Sequence, residues 1–140
     1  MKRIEEHEIF AAVVGQPLNA GRLAQISEHN GKGYGDYADC QEYLVGDLDC
    51  LEESLIAQFR ITEALMDRWY YGGYLFRLHL FVRDGILFGG HIFKYRSTST
   101  SCHFRPTGYA TDPTQQEIRI AERILAYLTQ NRNKDTPLTV

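Results

Sequence analysis

Residues 74–96 decide the fold of this chain and read YLFRLHLFVR (74–83), Asp84-Gly85 and ILFGGHIFKYR (86–96). The first segment alternates along its ten residues, which is typical of a β-strand. An Asp-Gly pair between two such segments is typical of a two-residue type I′ hairpin turn. The sequence therefore predicts an antiparallel hairpin in which Arg83 lies opposite Ile86 and pairing continues one residue at a time on each strand.

The predicted register divides the hairpin into an inner face, which packs on a helix, and an outer face. The inner face is nearly all apolar and is expected to carry Tyr74, Phe76, Leu78, Leu80 and Val82 with Leu87, Gly89, His91, Phe93 and Tyr95. The outer face is expected to carry Leu75, Arg77, His79, Phe81 and Arg83 with Ile86, Phe88, Gly90, Ile92, Lys94 and Arg96. In this register Phe81 and Phe88 form a cross-strand pair.

One long amphipathic helix is predicted before the hairpin. Its apolar residues recur at steps of about 3.6 residues, with Thr62 bridging a gap, and they are Leu48, Leu51, Leu55, Phe59, Met66 and Trp69. Asp47 is the expected N-cap, and Gly72-Gly73 ends the helix. This helix is expected to cover the inner face.

Further elements are predicted on both sides of this unit. Two short helices occupy the N-terminal third, broken by Gly15 and Pro17. A third strand is expected over 99–105. Asp112-Pro113 starts a C-terminal helix, since it offers a capping carboxylate and a proline at the first helical position. Its apolar stripe is Ile118, Ala121, Ile124, Leu125 and Leu128.

These elements indicate an α+β fold class. The expected architecture has N-terminal helices, a three-stranded antiparallel sheet with a central hairpin turning at Asp84-Gly85, a long helix packed on that sheet, and a C-terminal helix. Residues 1–130 are expected to form one domain, followed by a polar tail over 131–140.

Composition restricts the function classes. The formal net charge of −3 argues against wholesale nucleic-acid binding. No apolar segment approaches the roughly 20 residues of a membrane helix, and no secretory leader is recognisable. Cysteines at 40, 50 and 102 form no C-x-x-C pair, so free thiols and no metal site are expected. The sequence predicts a cytoplasmic protein without a membrane partner, a metal or a cofactor.

An acidic and aromatic stretch lies between Lys32 and Arg60, where no basic residue occurs. Tyrosine beside carboxylate is common in protein interfaces, and an acidic surface attracts a basic partner. The candidate partner-binding residues are Tyr34, Asp36, Tyr37, Asp39, Glu42, Tyr43, Asp47, Asp49, Glu52 and Glu53. The alternative interpretation is a solvated face without a partner.

The outer face is a second candidate site. Aromatic rings among cations on a sheet can stack the bases of single-stranded nucleic acid, and the residues concerned are Arg77, His79, Phe81, Arg83, Phe88 and Lys94. The alternatives are that N-terminal helices cover this face or that it forms a homodimer. An acidic chain without RNA-binding signatures makes nucleic acid the less favoured interpretation.

A cysteine and two histidines form a third candidate site. Asp39-Cys40 follows a glycine-rich loop and could start a helix, whose dipole favours a thiolate. The segment Asp39-Cys40 with His91 and His103 is similar to the motif of the NlpC-type papain-like cysteine peptidases, with Gln41-Glu42 in place of Ser-Gly. The resemblance implies that Cys40 is the nucleophile, His91 the base and His103 the orienting residue. The alternative is that Cys40 and His91 are packing residues of the core.

The chain contains no phosphate-binding loop, dinucleotide fingerprint, zincin motif or nucleophile elbow. The favoured hypothesis is therefore a small cytosolic protein, not an enzyme, which blocks a basic partner protein as inhibitors and immunity proteins do. The alternatives are a cysteine hydrolase using Cys40 and His91, and a nucleic-acid-binding sheet.

Overall fold

The computed structural model describes residues 8–45, 51–71, 74–100, 103–110 and 113–129. They form one five-stranded antiparallel sheet with the strands in sequence order. The strands are β1 (Glu28–Lys32), β2 (Gln41–Val45), β3 (Tyr74–Arg83), β4 (Ile86–Thr100) and β5 (His103–Ala110). The α+β class is confirmed. The predicted number of three strands is wrong, because the polar β1, EHNGK, and the short β2 lack an alternating apolar pattern.

Five helices accompany the sheet in the described residues. They are α1 (Glu8–Ala11), α2 (Ala20–Ile26), α3 (Glu53–Phe59), α4 (Glu63–Tyr71) and α5 (Gln115–Thr129). The predicted C-terminal helix is confirmed as α5, the longest of them. None of the described helices combines the length and the apolar character that crossing a membrane requires.

The predicted long helix is divided into α3 and α4. Arg60 adopts a left-handed conformation with φ of 58°, and its N–H donates to the carbonyls of Ile56 and Ala57, which ends α3. Thr62 does not continue the helix but caps the next one, since its Oγ1 accepts from the Leu65 N–H at 3.2 Å. The predicted ends, Asp47 and Gly72-Gly73, lie outside the described residues.

α5 begins with a reciprocal pair of hydrogen bonds. The Glu117 N–H donates to the Thr114 Oγ1 at 3.1 Å, and the Thr114 N–H donates to a Glu117 carboxylate oxygen at 2.8 Å. This capping box lies just after the predicted Asp112-Pro113 start, and Asp112 is outside the described residues. The buried stripe of α5 joins Leu78 and Leu80 in the hydrophobic core.

The hairpin register contains a β-bulge that the sequence analysis did not anticipate. Arg83 pairs with Ile86 and Val82 with Leu87, as predicted, but Phe81 then pairs with Gly89. Phe88 is the extra residue.

The bulge moves each later residue of β4 by one position, and this reverses its face. Leu78 lies opposite Ile92, and His79 lies opposite His91. The predicted faces of β4 beyond Phe88 are therefore wrong. His91 belongs to the outer face, whereas Ile92 and Lys94 belong to the inner one.

The inner face holds a buried ion pair. The Lys94 ammonium lies 2.8 Å from a Glu117 carboxylate oxygen, and the two side chains are 2% and 0% exposed. Lys94 was predicted on the outer face, and the bulge explains the difference. The pair connects β4 to the first turn of α5, so the helix and the sheet are joined by charge as well as by apolar contact.

The remaining differences concern the third predicted strand. β4 continues to Thr100, and β5 runs from His103 to Ala110, beyond residue 105, where the third strand was expected to end. Pro106 pairs with Ser97 next to a second irregularity in the β4–β5 ladder. The tail over 131–140 lies outside the described residues.

Candidate functional site

Residues 33–40, here called the aromatic loop, connect β1 to β2. The Gly33 N–H donates to the Cys40 carbonyl at 2.9 Å, and the Cys40 N–H donates to the Tyr37 carbonyl at 2.9 Å. Between them, Gly35–Tyr37 forms one 3-10 turn. The loop is thus hydrogen-bonded to itself at both ends, which restricts its backbone.

Tyr37 anchors the aromatic loop to the outer face. Its ring lies parallel to the ring of Phe81, with centroids 4.3 Å apart and planes 4° apart. A Cβ atom on Gly89 would lie 2.6 Å from the Tyr37 Cζ, and a Cβ on Gly33 would collide with the Tyr37 carbonyl. Two glycines therefore allow the tyrosine to lie directly on the sheet.

Tyr34 is the aromatic residue that the loop presents to solvent. Its edge packs against Phe81, with ring centroids 5.4 Å apart and planes at 90°, yet the residue is 49% exposed. Asp36 and Asp39, in the same loop, are exposed as well. The anchored loop thus holds one tyrosine beside two carboxylates.

A charged and aromatic group extends this surface towards the hairpin turn. Arg83 forms an ion pair with Asp39, and its guanidinium carbon lies 4.2 Å from the centroid of the Phe88 ring. Phe88, the bulge residue, is 37% exposed. Arginine over an aromatic ring is a cation–π contact, so Phe88 is held in place at the edge of the surface.

A partly buried polar group, centred on Glu42, lies further along the outer face. The Asn30 amide donates to one Glu42 oxygen at 2.7 Å, and the other Glu42 oxygen lies 2.7 Å from the His79 Nδ1. His91 is the cross-strand partner of His79 and is also buried. The ring of His91 lies 6.3 Å from the Tyr37 ring, so the polar group and the loop are neighbours.

Burial controls the protonation of His79. Desolvation lowers the pKa of His79 below its ordinary value, because the charged imidazolium is disfavoured away from water. The Glu42 carboxylate acts in the opposite direction, and Arg77 adds to the lowering. The net result favours a neutral His79 whose Nδ1 donates its proton to Glu42.

Cys40 has the character of a packing residue. Burial raises the pKa of the Cys40 thiol above its ordinary value, and the Asp39 carboxylate, 3.8 Å from the sulfur, raises it further. Cys40 also precedes a strand, β2, and not the helix that the sequence suggested. No helix dipole therefore favours a thiolate there, and the thiol is not activated.

The predicted cysteine–histidine site is not assembled. Gln41, which follows Cys40, pairs with Val82 of β3. His91 pairs with His79 of β3 and itself lies on β4, two strands away from β2. Strand geometry places the Cys40 and His91 Cα atoms about 16 Å apart, from roughly 13 Å along the strands and roughly 10 Å across them. His103 lies opposite Thr100, roughly 30 Å along β4 from His91. The strand pairing therefore does not bring Cys40 and His91, the residues of the alternative hydrolase interpretation, into contact.

The predicted base-stacking face is also wrong as a surface. Phe81 is 0% exposed because Tyr37 covers it, and His79 is largely buried. Phe81 and Phe88 are not partners, because the bulge places Gly89 opposite Phe81. Lys94 lies in the core. Of this set, Arg83 and Phe88 remain at the surface.

The acidic stretch is divided by the fold. Glu42 is buried, and Tyr43 lies on the inner side, where it packs against the core. Glu52 and Glu53 are exposed at the start of α3, beyond the far end of β2, which is about 13 Å long. Asp47 and Asp49 lie outside the described residues. The loop residues Tyr34, Asp36, Tyr37 and Asp39 are the part that the structure brings together.

No group of three or more His, Cys, Asp or Glu side chains is arranged to hold a metal ion in the ranges that the structure describes. Comparison with protein-family models, curated proteins and solved structures gives no significant match to this chain.

Sequence reasoning missed the contact between Glu42 and His79 and the contact of Tyr37 with Gly89. A signal for the second was present, since a Gly-Gly pair inside a strand indicates a bulge or a close approach of another group. The first had no such signal. Glu42 was grouped with its acidic neighbours, although its position in β2 points it to the face of His79.

Proposed function

We propose that this chain is a non-enzymatic cytosolic binding protein of the inhibitor or immunity type. The surface that contacts its partner is formed by Tyr34, Asp36 and Asp39 of the aromatic loop, with Phe88 and Arg83 beside it. The partner is a protein with a basic surface, whose functional site is covered by the complex.

The observation that supports this proposal most is the contrast between the two tyrosines of one loop. Tyr37 lies against Phe81, while Tyr34 is 49% exposed. Exposed aromatic residues at defined positions are typical of interface hot spots. Because Tyr37 anchors the loop before any partner arrives, little conformational freedom is lost on binding.

Charge supports a basic partner. Asp36 and Asp39 are exposed beside Tyr34, and the chain as a whole carries a net charge of −3. Arg83 offsets part of this charge through its ion pair with Asp39. Asp36 is consequently the acidic residue of the loop that is most suited to an intermolecular contact. Opposite charges across such a contact accelerate association at low salt.

The test uses the purified chain as bait for its partner and then measures affinity by calorimetry with the isolated partner. Tyr34→Ala is expected to weaken binding about 30-fold, as the loss of a hot-spot aromatic does. Asp36→Lys is expected to weaken it about tenfold and to reduce the salt dependence of the association rate.

Glu53→Lys is the matched control, because it reverses the charge of another exposed carboxylate, outside the loop, and leaves binding unchanged under the proposal. A partner that binds Tyr34→Ala and Asp36→Lys as tightly as the unaltered chain would overturn the proposed surface. Binding weakened equally by Asp36→Lys and Glu53→Lys would indicate general charge attraction and contradict a specific site.

A further inference from the structure

The bulge at Phe88 gives the hairpin two possible registers. In the observed register Phe81 pairs with Gly89 and Leu80 with Gly90. Without the bulge, Phe88 would face Phe81, and each following residue of β4 would move by one position and change face. An extra residue in a strand can be accommodated at more than one place along the ladder, because only local pairing is lost.

The tandem glycines would keep a glycine under Phe10 in the second register, although Ile92 would leave the core for the outer face. Gly90 lies opposite Leu80, and a Cβ atom there would lie 2.5 Å from the Phe10 Cε1 and 2.7 Å from the His79 carbonyl oxygen. The inner face therefore requires a glycine under Phe10. In the second register Gly89 would take this position, so Phe10 would meet a glycine in either case.

We propose that residues 88–94 of β4 exchange between these two registers, with the bulge moving from Phe88 to the far side of Lys94. The observed register is the major form. The inference is independent of any partner. The effect of this exchange on partner binding rests on the proposed function.

Two contacts stabilise the observed register. On the inner face, Lys94 lies 2.8 Å from Glu117, and a shift by one residue would turn Lys94 outward and separate the pair. On the outer face, the Tyr37 ring lies against Gly89. Neither contact persists in the second register, so both favour the bulge at Phe88.

The shift would couple the core to the aromatic loop. With Phe88 opposite Phe81, the phenylalanine side chain would occupy the space above the outer face that Tyr37 now fills. Tyr37 would be displaced, and the loop that presents Tyr34 would lose its anchor. If the loop binds a partner as proposed, that partner selects the bulged register.

The test is NMR relaxation dispersion and saturation transfer on the isolated, isotope-labelled chain. Backbone amides of 88–94 and of 33–40 are expected to report one exchange process with a common rate. Deletion of Phe88 removes the extra residue and is expected to abolish the exchange while the observed pairing stays intact.

Gly90→Ala is expected to raise the minor form about tenfold or more, because the added methyl collides with Phe10 only in the observed register. Cross-strand contacts of Leu78 then change from Ile92 to His91. If Gly90→Ala does not fold, Glu117→Gln serves instead, since it removes the carboxylate that neutralises Lys94 in the core.

The inference is overturned if the unaltered chain shows no exchange in 88–94, or if the substituted chain keeps the Leu78–Ile92 contact without an increased minor form. Exchange that survives deletion of Phe88 would overturn it as well. These readouts need no partner. A different result is that the unaltered chain shows the exchange while the Tyr34→Ala variant binds the partner with undiminished affinity. That result would contradict the proposed function and still support the register exchange.

Discussion

The two faces of the sheet differ in how they are covered. The inner face is covered by α5 and contacts a continuous apolar core, in which Leu78, Leu80 and Leu128 are fully buried. The outer face is covered near the hairpin by a single loop that rests on Tyr37. The inner face is stabilised by many apolar contacts. The outer face depends on a few specific contacts with the loop, and polar side chains lie beneath the loop.

Under the proposed function, this difference separates stability from recognition. A face stabilised by many contacts tolerates the loss of one exposed side chain beside it. A loop anchored by one ring can be released by a single substitution. Binding surfaces are commonly carried by such loops on a rigid scaffold. The following changes test whether the two faces respond as this comparison requires.

The largest effect is expected from Lys94→Ala on the inner face. Removing the ammonium leaves the buried Glu117 carboxylate without its counter-charge and opens space in the core. The free energy of unfolding should fall by about 3 kcal/mol. Chemical denaturation measures it, with the exposed Lys32→Ala as the control. A loss below about 1 kcal/mol would mean that the pair is not held in the core.

Tyr37→Ala should produce the next largest effect, on the outer face. It removes the stacked contact with Phe81, at a cost of about 2 kcal/mol for a half-buried ring. Amide exchange of Gly33 and Cys40 should accelerate, while α5 remains protected. Tyr34→Ala is the control, since its ring is half exposed. Equal acceleration in both variants would contradict the anchoring role of Tyr37.

A smaller effect follows from the lowered pKa of His79. The folded state binds a proton at His79 less readily than the unfolded state does. The contribution of neutral His79 to the free energy of unfolding is therefore fully present above the ordinary histidine pKa of about 6.5. It is lost as the pH falls through that value towards the lowered one. Denaturation between pH 7.5 and 5.5 should therefore show a slope that His79→Gln flattens and His29→Gln preserves. An unchanged slope in His79→Gln would refute this assignment.

Asp39→Ala should have the smallest effect on stability. The Asp39–Arg83 pair is exposed, with side chains 63% and 43% accessible, and such pairs contribute about 0.5 kcal/mol or less. A thermal melt in which the free energy of unfolding falls by more than about 1.5 kcal/mol would place the Asp39–Arg83 pair in the same class as Lys94–Glu117. The contrast between the two ion pairs would then disappear.

The inner face could be predicted to a large extent from the sequence. The Asp84-Gly85 turn, the apolar positions of β3 and the stripe of α5 follow from periodicity and turn chemistry, which are local properties. The division of the long helix at Arg60 could not be predicted in this way. Apolar spacing continues across it, and the αL residue and the Thr62 cap interrupt the backbone without changing the pattern.

The outer face could not be predicted, because its contacts join residues far apart in the chain. Tyr37 meets Gly89, and Glu42 meets His79, only after β2 pairs with β3. The bulge at Phe88 reversed the predicted faces of His91 and Lys94, since a shift of one residue in a strand exchanges its two faces. The grouping of the loop residues as a candidate site stays a prediction, and the contact that anchors their loop was not predicted.

The most direct test of this account is the hydrogen exchange of the Gly33 and Cys40 amides in the unaltered chain. Both donate hydrogen bonds within the aromatic loop, and an anchored loop should protect them nearly as well as the amides of β3. Protection of this kind would support a surface organised before binding. Exchange at the rate of an unstructured peptide would show that Tyr37 does not hold the loop on Gly89, and would contradict the account.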